Sequence, residues 1–237
     1  MENGLLSRYS VITTKNPREI VLLRGSGCKW RRCTFCDYHL DFGTDEEENY
    51  KLNEIEIKKI TGKYGKLEII NSGSFTDIDA KSMNLIIEVC KEKAIKEVHF
   101  ESHWMHRNEI PALRARFGQY GIDVKIKIGV ETFDKEYREN ILMKGINEES
   151  PPEIARDFDE VCLLFGLSGQ TIHGMKEDIE TGLRYFERVC VNIMVENSTK
   201  IKPDKDVITA FMEHIYPEYI DNDRVDILVE NTDFGVG

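Results

Sequence analysis

Seven short runs rich in Val, Ile and Leu recur along this chain, and a segment of helical period follows each of the first six. The runs are "EIVLLRG" at Glu19, "KLEIINSG" at Lys66, "EVHFES" at Glu97, "VKIKIGVE" at Val124, "VCLLFGLSG" at Val161, "CVNIMVEN" at Cys190 and "RVDILVEN" at Arg224. Near-continuous apolar runs bounded by Gly, Ser or Asn predict strands buried on both faces. Between them, Met83, Ile86, Ile87, Cys90 and Ala94 fall on one helical face. So do Ile110, Leu113, Phe117 and Tyr120, and later Val207, Ile208, Phe211 and Ile215. Asp79, Ser150 before a double proline, and Asp204 are expected at helix starts. Strand–helix alternation implies a parallel sheet with right-handed crossovers. The length suits six βα units, whereas a full eight-unit barrel takes roughly 250 residues. The expected fold is therefore α/β, a partial (βα)6 TIM-like barrel with an extra C-terminal strand. No linker, low-complexity tract or repeat divides residues 1–237, so a single domain is expected.

A hydrophobic share of 41% supplies material for a sizeable core. The net charge of −11 repels phosphate backbones and disfavours unaided binding of nucleic acid. The one dense basic cluster, Lys29, Arg31 and Arg32, lies inside a cysteine-rich turn. No run approaches the roughly 18–20 apolar residues of a membrane span, and "MENGLLSRYSVITTKN" lacks the apolar stretch of a signal peptide. No membrane partner and a cytoplasmic location are expected. There thiols stay reduced, so clustered cysteines point to metal or catalysis rather than disulfides.

The turn "RGSGCKWRRCTFCDYH" places Cys28, Cys33 and Cys36 in the spacing C-x4-C-x2-C. Zinc is one reading, with His39 completing a Cys3His set. A cubane iron–sulfur cluster is the other: three thiolates would leave one iron without a protein ligand, open to a substrate or cofactor. The neighbouring cations are expected to lower the thiol pKa values and favour metallation. Cys90, Cys162 and Cys190 lie in apolar runs and read as small core residues. Polar or Gly-rich clusters follow the strands: "GSGC", "NSGS", "ESHWMHR", "GVETF", "GLSGQT", "VENSTK" and "VENTDFG". In folds of this kind the C-terminal strand ends carry the active site, so all of them should meet at one mouth.

With those residues in place, the cysteine turn resembles the motif of the radical S-adenosylmethionine (SAM) superfamily, C-x3-C-x-aromatic-C at the end of the first barrel strand. Phe35 keeps the aromatic before the last cysteine, and the first gap is one residue longer. The resemblance implies a [4Fe–4S] cluster on Cys28, Cys33 and Cys36, and SAM bound to it, with Phe35 and Tyr38 beside the cofactor. In "NSGSFTD", Ser72, Gly73 and Ser74 look like the family's loop for the amino group of the cofactor methionine. A Gly-rich turn lets carbonyls approach a cation closely. "GVETFDKEYRENILMKG" resembles the family's fourth-strand segment. Glu131 would take the ribose hydroxyls, and Arg138 or Lys144 the cofactor carboxylate; a surface helix with i,i+3 pairs is the plainer alternative. "GLSGQT" resembles a loop near adenine, with Gly166 retained and Ser168 where proline is usual. The implied chemistry begins when an external electron donor such as flavodoxin or ferredoxin reduces the cluster. An electron then enters the sulfonium, and the resulting 5′-deoxyadenosyl radical abstracts a substrate hydrogen.

An acidic barrel without a nucleic-acid module, a second cysteine cluster or a cobalamin domain points to a small-molecule substrate. The acidic stretch "DFGTDEEENYKLNE" is expected to form a lid, with Tyr50, Lys51 and Asn53 facing inward. Glu101, His103, Trp104 and His106 follow the third predicted strand, Glu196 and Asn197 the sixth, and Glu230, Asn231 and Asp233 the seventh. Glu101, His103 and Asp233 are the catalytic candidates. Trp104, Glu196, Asn197, Glu230 and Asn231 join the lid residues as substrate-binding candidates. A carboxylate accepts the adjacent N–H groups of a purine-like base in pairs, and Trp104 or Tyr50 could stack on its ring. By size and by "GCKWRRCTFCDYHLDFG", the chain looks like the queuine lyase family of 7-deazaguanine (queuosine) salvage. That implies a lyase acting on queuine, a deazapurine, to release a 7-deazaguanine precursor base. Two other classes stay open: a radical SAM enzyme modifying tRNA or a peptide with a partner, and a zinc-stabilised binding module without turnover.

Overall fold

The computed structural model describes residues 7–147 and 150–229, the side chain of His39 excepted. Among the described residues eight strands form one sheet in chain order: β1 (Tyr9–Ile12), β2 (Arg18–Leu23), β3 (Lys66–Asn71), β4 (Glu97–Glu101), β5 (Asp123–Glu131), β6 (Glu160–Phe165), β7 (Arg188–Ile193) and β8 (Val225–Leu228). From β2 to β8 every pairing is parallel, which bears out the partial barrel of six crossovers and a seventh strand. The additional β1 runs antiparallel to β2. At four residues, YSVI is too short for its alternation to stand out from the preceding loop.

Helices α1 (Glu46–Ile57), α2 (Ala80–Glu92), α3 (Ile110–Gly118), α4 (Pro151–Ala155), α5 (Ile172–Tyr185), α6 (Lys205–His214) and α7 (Tyr216–Tyr219) fill the crossovers. Asp79 caps α2 by accepting from the Ser82 amide at 2.8 Å, and Asp204 caps α6 through Asp206 and Val207. Ser150 immediately precedes α4. Two residues assigned to helical faces lie past the helix ends. Ala94 takes φ 56° beyond α2, and Tyr120 is exposed beyond α3. The expected lid also has a different place. Asp45 accepts from the amides of Glu47 and Glu48, three acids occupy the first turn, and the stretch becomes α1, packed against α2 and β2. Acids at a helix N-terminus complement its dipole, so this composition favours a docked helix. Among the described residues no helix is long and apolar enough to cross a membrane.

The outward strand residues, such as Val161, Leu163 and Phe165 of β6, pack with the helices into the main hydrophobic core. The inward face is different. Arg18 (β2), Glu68 (β3), His99 (β4), Lys127 (β5), Glu160 (β6), Arg188 (β7) and Asp226 (β8) are all buried. They form a ring of charge across the barrel floor. Glu68 pairs with Arg18 and with Lys127; Arg188 forks onto Glu160 at 3.0 and 2.8 Å and reaches Asp226 at 2.7 Å. Arg18 lies 3.5 Å from Asp226, so the ring joins the second strand to the last. The loop after β1 ties the same edges: Lys15 donates to the carbonyls of Ile220 and Val225, and Asn16 to Asp223 and Asp226. At Glu68 and His99 burial works against the charge, but the partners outweigh it. Glu68 is held well below the usual carboxylate range by Lys127, Arg18 and Arg188. His99 is raised by Glu160 and Glu97 despite its burial.

Removing one member leaves its partners charged and dry, which costs about 3–5 kcal/mol. Glu68→Gln removes the charge that Arg18 and Lys127 share and is expected to lower the unfolding free energy by that amount in urea titrations at pH 7. A loss below about 1 kcal/mol, the range of exposed pairs, would show that the ring is not a buried network.

Candidate active site

The cysteine turn has little regular structure and is held by other segments. Cys28 N donates to Ser72 O at 3.1 Å. Thr34 Oγ1 donates to Ile141 O at 2.6 Å, and Trp30 Nε1 to Met143 O at 2.8 Å. Asn197 Nδ2 donates to Phe35 O at 2.7 Å, while Asp37 accepts from both the amide and the hydroxyl of Ser198. Three loops from different strand ends therefore fix one turn. A cavity of about 610 Å3 opens beneath it at the C-terminal strand ends, and Cys28, Cys33 and Cys36 all line it.

Gly73 permits the close approach: a Cβ there would meet Asp77 Oδ2 at 2.4 Å and Cys28 N at 3.1 Å. Gly129 does the same across the cavity, where a Cβ would fall 2.5 Å from Glu131 Oε1 and 2.9 Å from Lys144 Nζ. The β5–β6 register shifts between Gly129 and Glu131, and Glu131 takes φ 69°. This irregularity turns the buried Glu131 carboxylate inward onto Lys144 Nζ at 2.7 Å. Burial works against the Lys144 ammonium, yet Glu131 and the cysteine sulfurs hold its proton above the ordinary lysine range.

Cys33 and Cys36 are not acidified as the basic turn suggested. Burial raises Cys33, and pushes Cys36 up to about 12, against the opposing pull of Lys144. The turn's own cations have other partners, and Arg31 also donates to Cys28 O at 2.7 Å. Lys29 lies 3.8 Å from Asp77, Arg31 stacks on Phe42 at 4.7 Å, and Arg32 stacks on Trp30 at 5.1 Å. Among the described residues no three His, Cys, Asp or Glu side chains converge on one metal ion. The His39 side chain lies outside the described residues.

Phe35, Tyr38, Ser72, Gly73, Glu131 and Lys144 line the cavity, as do Glu101, His103, Glu196 and Asn197. Ser74 is buried behind it, its hydroxyl accepting from His103 N at 2.9 Å. Arg138 is also buried: its guanidinium holds Glu139, Thr132 O and Ile146 O and so braces the loop that carries Lys144. Gly166 sits under Ile208, and the Ser168 carbonyl accepts from Tyr137. Their loop instead brings Leu167 into a small apolar cluster with Leu142, Leu164 and Met194, against which Phe35 packs. Tyr50 lies under Lys81, Lys51 is exposed on α1, and Asn53 bonds both backbone groups of Arg24. Trp104 is buried on Phe158, and His106 is buried near Glu109. Glu230, Asn231 and Asp233 lie outside the described residues.

Sequence reasoning passed over Lys127 and Asn192 and read Cys162 as a core residue, whereas all three line the cavity. The signal was present in the strands. A polar residue at every second position of a run buried on both faces marks the barrel interior.

No protein-family profile matches the chain. Among solved structures, a queuine lyase from Clostridium spiroforme bound to SAM and queuine is 42% identical, with a TM-score of 0.93 over 98% of this chain and 100% of that one. An uncharacterised protein of Methanocaldococcus jannaschii is 27% identical over 146 residues, which is 54% of this chain. The match spans only 39% of that protein's length.

His103 Nε2 donates to Lys144 O at 2.7 Å, and Nδ1 accepts from Met105 N at 3.2 Å. Both partners suit the neutral ring. Burial, reinforced by the Lys144 charge, pushes its pKa down to about 4. The unfolded chain therefore binds more protons between about pH 6.5 and 4, and stability falls as pH drops through that window. The loss attributable to this ring is about 3 kcal/mol. His103→Gln is expected to flatten the pH dependence of urea stability by that order; an unchanged slope would show that the ring is not held neutral.

Proposed function

The chain belongs to the queuine lyase family of radical SAM enzymes, and we propose that it cleaves queuine to a 7-deazaguanine precursor base. The observation that carries this reading is the 42% identity and near-complete overlap with the C. spiroforme enzyme, seen bound to SAM and queuine.

The donor set fits a cluster. Three half-buried thiols open onto one cavity without converging on a single ion, an arrangement better suited to the separate corners of a cubane than to one zinc. Cys28, Cys33 and Cys36 would hold a [4Fe–4S] cluster, with SAM at the iron they leave unligated. When bound, the pair supplies a carbon-centred radical that takes a hydrogen atom from substrate.

The protein's own residues orient and enclose. The Glu131 carboxylate, fixed by Lys144, would accept from vicinal ribose hydroxyls. Ser72 and Gly73 offer a hydroxyl and carbonyls to an ammonium at the cavity edge. The apolar cluster around Leu167 and Met194 gives a ring system a dry wall. Glu101 stands at the inner end of β4, 3.6 Å from Lys127. Its carboxylate would accept the adjacent N–H groups of a deazaguanine edge. Burial raises the Glu101 carboxyl above its ordinary range, and the neighbouring Lys127 ammonium opposes that rise. Electrons would come from an external donor of the flavodoxin or ferredoxin class, in the cytoplasm.

Anaerobic reconstitution, reduction and incubation with SAM and queuine tests the proposal, with mass spectrometry following 5′-deoxyadenosine and the released base. Cys33→Ala is expected to abolish both products, and full turnover in that variant would refute the cluster assignment. Glu131→Gln is expected to weaken SAM binding by about tenfold or more while iron content is retained. Loss of iron instead would make Glu131 a folding residue.

A further inference from the structure

Cys162 and Cys190 stand directly opposite each other across β6 and β7. Alternation along β6 sends Val161, Leu163 and Phe165 into the main core, whereas Cys162 and Leu164 face the barrel interior and line the cavity. The two side chains are direct neighbours on the inward face of the ladder and act electrostatically on each other, and the Lys127 ammonium acts on both. Among the described residues, Cys162 is the cavity-lining thiol outside the cluster turn. Cys90, by contrast, is buried beneath α2 in the main core.

We propose that Cys162 is the hydrogen-atom donor that quenches the carbon-centred fragment of the substrate, with Cys190 as its partner thiol; the inference rests on the radical lyase reading above. An S–H bond is weaker than an alkyl C–H bond, so hydrogen transfer from thiol to carbon radical runs downhill. After the hydrogen atom is taken, the C–N bond to the base breaks with its electron pair going to nitrogen, which takes up the proton released by a hydroxyl of the fragment, so the unpaired electron stays on carbon. That carbon gains one hydrogen atom as the Cys162 Sγ–H bond breaks, leaving a thiyl radical. Cys190 then returns a hydrogen atom to Cys162 and takes the unpaired electron out of the cavity wall. One electron from an external one-electron reductant, of the class that serves the cluster, and one proton from solvent restore Cys190. The substrate loses one hydrogen atom and its fragment regains one, so the two products together carry the atoms of the substrate. Lys127 is placed to offset the charge of a thiolate in the pair.

Thiol protons exchange with solvent, and this gives the test. The reconstituted wild-type protein, run in D2O with SAM and queuine, is expected to place one deuterium on carbon in the non-base product. In Cys162→Ala and the closer isostere Cys162→Ser, 5′-deoxyadenosine and free base continue to form, while the hydrogen-quenched non-base product and its carbon-bound deuterium fall by about tenfold or more relative to base. Cys90→Ala is expected to match the wild type in both product and label. On the cluster-free protein, queuine is expected to protect the Cys162 peptide from iodoacetamide. Base release without carbon-bound deuterium, Cys162 variants with wild-type yield and label, or alkylation of Cys162 indifferent to queuine would each overturn the proposal while leaving the lyase reading intact. Wild-type protein that forms neither 5′-deoxyadenosine nor free base would bring down both.

Discussion

The fold depends on Glu68. This carboxylate, buried in the third of eight strands, is shared between Arg18 and Lys127 and lies 3.7 Å from Arg188. Around it a sheet that is not closed by backbone pairing between its edge strands is drawn into a curl, because Arg18 and Arg188 both reach Asp226 on the last strand. A small barrel usually fills its interior with branched aliphatics. Here the lower interior is ionic, which costs desolvation and demands full pairing. The outcome is a floor whose geometry is specified by directional contacts, with Lys127 shared between it and the cavity above.

That sharing links stability to chemistry. Lys127 pairs with Glu68 below, stands 3.6 Å from Glu101 and acts on the thiols of Cys162 and Cys190. The position of the ammonium beside Glu101 is thus set by the network that curls the sheet.

Much of this was legible in the chain. The seven apolar runs became the seven parallel strands, and the clusters at Cys28, Ser72, Glu101, Glu131 and Glu196 line one cavity, whereas the loop at Gly166 does not and residues 230–235 lie outside the described residues. The cysteine turn, the Ser72–Gly73 loop and the Glu131–Lys144 segment reached the cavity. Side-chain destinations were harder to read. Asn53 and Trp104 follow strands as a ligand-binding residue should, yet one bonds the Arg24 backbone and the other stacks on Phe158. Position in sequence does not say which way a loop residue turns. The interior charges were equally hidden, since each strand carries only one or two of them, and the pattern emerges only when strands are laid side by side.

The stacking of Trp30 on His103 has an optical consequence. Trp30 lies between the first two cysteines of the turn, partly exposed, its ring 5.2 Å from the imidazole and its indole nitrogen bound to Met143 O. Trp104, the second of the two tryptophans, is sealed against Phe158. One indole therefore senses the turn and the other reports a constant interior, so the natural emission spectrum carries an internal standard beside a probe of whatever fills the thiolate cage.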